Sequence, residues 1–181
     1  MSDIGLYASE MARGALVTVE LTAVGTAVSL VFGAAGALAR LHGPRVLRSL
    51  VVGYVETIRG LPAILQLFVL YFGLNQFGIN LPALWASFIW MCAYGTGYAV
   101  EIFRAGLAAV EEGQREAATA LGLSPVQSLW RVVIPQAVAV MLPPLVTFVV
   151  LELKNTTLVY FVGVHEVMFQ ARLGASNSGQ P

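Results

Sequence analysis

Residues Glu111–Pro135 read EEGQREAATALGLSPVQSLWRVVIP, the longest polar-to-amphipathic interlude in a chain otherwise compatible with lipid. Gly122 divides the stretch into two short helices, because glycine tolerates the positive φ needed just past a helix end. Before it stand good helix formers, with Glu111 and Glu112 near the positive end of the helix dipole. After it, Ser124 is placed as an N-cap, Pro125 at the first helical position, and Gln127 completes a capping box. Val126, Leu129, Trp130 and Val133 then follow the i, i+3, i+4, i+7 rule as one apolar stripe. The expected product is a helix–glycine–helix elbow presenting a small-residue face of Ala117, Ala118, Ala120 and Leu121.

On pattern alone such a stretch also suits an ordinary amphipathic loop between two spans. Its particular residues say more. Glu116-Ala117-Ala118, three residues, Gly122, nine residues, then Val132-x-Ile134-Pro135 resemble the "EAA" signature. That signature belongs to permease subunits of bacterial type I ABC importers, and the resemblance implies a loop that docks into a separate ATP-binding subunit. Val132 and Ile134 stand where Ile and Leu are usual.

Composition agrees with a membrane setting. The 181 residues are 57% hydrophobic and 11% charged, with a mean hydropathy of +0.77, whereas a soluble domain carries about 25% charged residues. A formal net charge of zero argues against nucleic acid as a partner. Cys92 is the single cysteine, so neither an internal disulfide nor a cysteine-based metal site can form. The opening MSDIGLYASEMARG has no basic region followed by an apolar stretch, hence no evident secretory signal.

Outward from the elbow, a first span is expected over residues 16–38, about the length a helix needs to cross the hydrocarbon. Gly25, Ser29, Gly33 and Ala37 recur every four residues, a stripe that lets another helix approach closely. Glu20 reads as an interface carboxylate. Arg40, Arg45 and Arg48 follow without an intervening acid, which makes this loop cytoplasmic and residues 1–13 an extracytoplasmic tail. A second span covers 50–74, kinked at Gly60 and Pro62, with Glu56 and Arg59 placed to pair. Its segment YVETIRGLPAILQLFVLYFGL resembles the Y-V-E-x-x-R-G-T-P-x-x-x-Q-L-F-x-x-Y-F run of the polar-amino-acid branch, with Leu61 in place of Thr. A third span, 82–100, carries Trp85, Trp90, Tyr94 and Tyr98 as packing or interface aromatics. Glu101 and Arg104 follow as a second i, i+3 pair.

A fourth span, 132–151, is expected to be broken at Pro143-Pro144. Residues 151–172 mix polar and apolar types and read as a re-entrant or interfacial segment. Within it Lys154-Asn155-Thr156-Thr157-Leu158 resembles the family's K-D-T-S-L. Neither His42 nor His165 has neighbours for metal ligation, and no metal is expected. Residues 173–181 form a flexible polar tail.

Two departures from the family stand out. A usual fifth span is absent from this sequence, and the P-P-x-G-N-E pattern is replaced by Pro143-Pro144-Leu145-Val146-Thr147-Phe148, without the carboxylate. Glu152 lies one helical turn beyond Phe148 on the same face. It heads a candidate substrate pathway with Lys154, Asn155 and Thr156; the alternative is a helix ended by Leu151 and a plain Glu152–Lys154 pair.

The expected fold is therefore an all-α membrane protein, a type I ABC importer transmembrane domain over 14–172 with four spans. The resemblance implies a multi-pass permease subunit of the bacterial inner membrane importing a polar amino acid or related small solute. Its implied partners are a second permease subunit, an ATP-binding subunit, an extracytoplasmic solute-binding protein and membrane lipid. The chain contains no G-x-x-x-x-G-K-[ST] phosphate loop, so ATP is expected to be bound by a partner. Neither enzymatic activity nor a cofactor of its own is expected. The competing readings are a truncated, non-transporting subunit and a self-contained secondary carrier. Carriers of that kind place coupling carboxylates in mid-membrane.

Overall fold

The computed structural model describes the backbone of residues 2–178 and the side chains of residues 7–176. These residues form helices and short turns, with no strand among them. α1 (Ser2–His42) is one helix of 41 residues, about 60 Å long at 1.5 Å per residue. The segment expected as a separate N-terminal tail is helical from Ser2 onward and runs into the first span without a break, since no proline interrupts it.

One face of α1 is buried at every fourth residue: Leu21, Gly25, Ser29, Gly33 and Ala37. This is the small-residue stripe anticipated from the sequence, and it forms the seam with α4 (Ala83–Ala108). At Gly33 a Cβ would collide with Ala99, so the two backbones approach as closely as glycine permits. α4 is the helix the others surround. Trp90, Met91 and Tyr94 join Leu21, Leu67 and Val159 in the main core, while Val110, Val133, Ala137 and Met141 make a second cluster. Trp90 and Tyr94 are thus packing residues, whereas Trp85 faces outward.

The second span departs from its expected form. α2 (Arg45–Gly60) and α3 (Ala63–Gln76) meet at 110° rather than at a kink. Pro62 disfavours a helical conformation at Leu61, which is extended at φ −103°, ψ 144°. Gln66 bridges the break, its Nε2 donating to the carbonyls of Ile58 at 2.8 Å and Leu61 at 2.9 Å. The Glu56–Arg59 pair does not form. Arg59 instead lies over the Tyr98 ring, 5.8 Å from its centre, where the guanidinium gains the ring's negative face.

α5 (Glu112–Ala120) and α6 (residues 125–155) complete the elbow and the fourth span in one run. The expected break at Pro143-Pro144 is absent: the helix passes through both prolines. Both are exposed, so the cost of their missing N–H groups falls away from the packed face formed by Met141, Phe148, Glu152 and Asn155. By length and composition, α1 and the run Pro125–Val162 can each cross a bilayer, and the bent α2–α3 pair can make a third crossing. α4, with 26 residues, has the length for a fourth but is not apolar enough to count with them, so two or three of the four expected spans stand by this measure.

Residues 151–172 begin as helix, so the chain has not left α6 at Leu151. It then tightens into a 3-10 turn over Thr156–Val162, and reverses at Gly163 with φ 86°. α7 (Val167–Ser178) follows. The buried Glu166 caps it, accepting from the N–H groups of Met168 and Phe169 at 2.8 Å each. Residues 173–178, expected as flexible tail, are the last turns of α7, and 179–181 lie outside the described residues.

Candidate functional site

The elbow is built from local chemistry. Gly122 has φ +76°, and its N–H donates to Thr119 O at 2.9 Å while Leu123 N–H donates to Ala118 O at 3.1 Å. These two bonds close the free carbonyls at the end of α5 in a Schellman motif. Ser124 then starts α6 with a complete capping box: its Oγ accepts from Gln127 N at 3.3 Å, and Gln127 Oε1 accepts from Ser124 N at 3.0 Å. A π turn over Leu129–Val133 precedes Pro135, where the missing N–H loosens the hydrogen-bond ladder. The second arm of the elbow therefore grows into the fourth span without interruption, where two separate short helices were expected.

The expected faces divide on folding. Glu116, Ala117, Ala120 and Leu121 are exposed, Leu121 to 81%, but Ala118 is turned inward and buried. Of the stripe, Val133 is buried while Val126 and Trp130 are each 65% exposed. Val132 and Ile134 are half-buried and Pro135 is exposed. An apolar, small-residue surface of this kind, on a rigid turn, suits a partner protein rather than a small ligand.

Charged groups gather between α1, α2 and α4. Glu101 of α4 receives Arg40 of α1 at 2.6 Å and Arg104 of its own helix at 2.5 Å. The second of these is the pair expected from the sequence; the first, across 61 residues, had no local signal. A hollow of about 340 Å³ beside them is lined by Arg40, Glu56, Arg59 and Glu101.

The four pathway candidates do not share one surface. Glu152, Asn155 and Thr156 are buried, and Lys154 is exposed. Glu152 is completely enclosed by the chain itself, and neither carboxyl oxygen has a hydrogen-bond partner among the described residues. Gly25 of α1 and Gly95 of α4 form its walls, where a Cβ would come within 3.3 and 3.0 Å of its oxygens. No cation lies within 4.0 Å of it among the described residues, so the Glu152–Lys154 pair is not formed. In this arrangement no solute reaches Glu152 unless α6 parts from α1 and α4. That Glu152 shares one face with Phe148, Asn155 and Thr156 follows from three-to-four-residue spacing and could have been traced in the sequence; that this face turns inward could not.

Comparisons with known proteins converge on one family. A family model described as "Binding-protein-dependent transport system inner membrane component" matches residues 29–179. A "probable glutamine ABC transporter permease protein" of Bacillus subtilis is 34% identical over 177 residues, 96% of this chain and 81% of that protein. A "probable amino-acid ABC transporter permease protein" of Vibrio harveyi is 34% identical, over 89% of this chain and 74% of its own length. The "nopaline transport system permease protein" of Agrobacterium fabrum is 35% identical, with 97% and 80% coverage. Among solved structures, one described as an amino acid ABC transporter with histidines superposes with a TM-score of 0.89 at 32% identity, over 98% of this chain and 83% of that one.

Proposed function

We infer the function from one premise: the chain belongs to the family of binding-protein-dependent transport system inner membrane components. It is a permease subunit of an ABC importer. The solute is a polar amino acid or a related small molecule, a reading supported by the amino-acid permeases the chain resembles. It sits in the bacterial inner membrane beside a second permease subunit, receives solute from an extracytoplasmic binding protein, and draws on an ATP-binding partner for energy. The chain itself carries no catalysis and no cofactor.

The observation that carries this is the elbow: an exposed small and apolar face of Ala117, Ala120 and Leu121 on a turn held by Gly122 and the Ser124 capping box. Glu116, Ala117, Gly122, Val132, Ile134 and Pro135 are its signature residues, docking into or shaping the seat of the ATP-binding subunit, with Ala118 packing it from within. The test is reconstitution with those partners in vesicles. ATP-dependent uptake of a radiolabelled amino acid is the expected result. Uptake that persists without the ATP-binding subunit would overturn the reading in favour of a self-contained carrier.

A further inference from the structure

The elbow is tied to the rest of the chain by neighbouring residues that reach two different helices. Gln114 Oε1 accepts from Gln136 Nε2 of α6 at 3.3 Å. Arg115 Nη2 donates to the carbonyl of Leu107, in the last turn of α4, also at 3.3 Å. The two ties point apart because successive residues on a helix stand about 100° apart. α4 ends at Ala108, which leaves the Leu107 carbonyl without a helical donor, and a cation is favoured at that end of the dipole. It is the guanidinium's one hydrogen bond among the described residues, its Nε being buried without an acceptor. Beside these ties, Ile102, Phe103 and Leu107 of α4 pack against Val133, Ala137 and Met141, so α4 and α6 already share a core at this level. A lever pushed at α5 has two polar handles, one on each spanning helix.

We propose that Arg115 and the Gln114–Gln136 pair are positioning residues of the transport cycle, which make α4 and α6 follow the elbow together when it is displaced. The proposal rests on the reading of the elbow as the seat of the ATP-binding subunit. Neither side chain touches solute or nucleotide. Their work is to keep elbow movement from dissipating as rotation of α5 about its exposed flanks.

The test is the amount of solute moved per ATP hydrolysed by the reconstituted complex. Arg115→Met keeps length and removes every donor, and the ratio should fall roughly fivefold, the factor one net hydrogen bond is worth. Adding Gln136→Leu should lower it further, while hydrolysis continues and the ATP-binding subunit still co-purifies. Arg115→Lys, which retains a cationic donor at the α4 terminus, should recover part of the loss. An unchanged ratio in the double variant, with the complex intact, overturns the proposal. So does release of the ATP-binding subunit by Arg115→Met alone, which would make Arg115 part of the docking surface. Failure of that subunit to bind the unaltered chain would instead overturn the reading beneath it.

Discussion

The elbow and the junction of α1, α4 and α6 are held by opposite means. In the elbow the turn itself is held locally, by a left-handed glycine, a Schellman closure and a capping box within ten residues of one another. At the junction nothing is local. Gly25 and Ser29 of α1 meet Met91 and Gly95 of α4 around the carboxyl of Glu152 on α6, residues that lie far apart in the chain. The elbow keeps its shape while Ala117, Ala120 and Leu121 stay exposed, as the proposed docking role requires. The junction keeps its shape by leaving no space, and it tolerates a carboxyl with no hydrogen-bond partner among the described residues.

The largest expected effect is a test of that close fit. In Gly95→Val the new Cβ would collide with Ser29 Oγ and lie 3.0 Å from Glu152 Oε1, and overpacking at such a site costs about 3 kcal/mol. Thermal unfolding in lipid nanodiscs should show a marked loss; an unchanged midpoint would mean that the junction is loose and the contrast with the elbow is false. Next comes a carboxylate that does have partners. Glu101→Leu strips Arg40 and Arg104 of their shared acceptor, and should cost about 2 kcal/mol once the partial exposure of all three side chains is allowed for. A loss no larger than that of Arg104→Leu would show that the α1–α4 contact through Arg40 contributes nothing.

The elbow should respond through function rather than through global stability. Gly122→Val forces a branched side chain into a left-handed backbone, at a cost of roughly 1–2 kcal/mol. We expect ATP hydrolysis to uncouple from uptake while the protein remains in the membrane. Normal uptake in that variant would remove the turn from the coupling path. The smallest effect is expected where the sequence looks most provocative. Among the described residues Glu152 has no cation within 4.0 Å to lose, so Glu152→Leu should change stability by less than about 1 kcal/mol, of either sign. A loss as large as that of Glu101→Leu would reveal a partner for Glu152 in the assembled transporter and would erase the distinction between the two acids.

How legible each region was follows from the range of the forces that shape it. The elbow could be traced in the chain because φ preference, capping and the three-to-four-residue rule act over a few residues. Gly122, Ser124, Pro125 and Gln127 play the parts their types dictate. The α1 stripe was legible for the same reason: small residues every fourth position describe one helix face whatever lies opposite. The Glu56–Arg59 pair shows the limit of such reasoning, since i, i+3 spacing permits a contact without compelling it, and Tyr98 from another helix offered Arg59 an alternative.

By itself the sequence determined the all-helical membrane class, the elbow with its caps, the seam of small residues and the break at Gly60-Leu61-Pro62. Only the tertiary structure decided that this break turns the chain through 110°, that α6 runs intact through Pro143 and Pro144, and that Glu152 faces inward. The reason is the solvent. In water a helix declares its buried face by being polar on the other, but a spanning helix is apolar toward lipid and toward protein alike. Which face turns inward is then settled by the fit of side chains between helices, and that fit exists only once the helices have met.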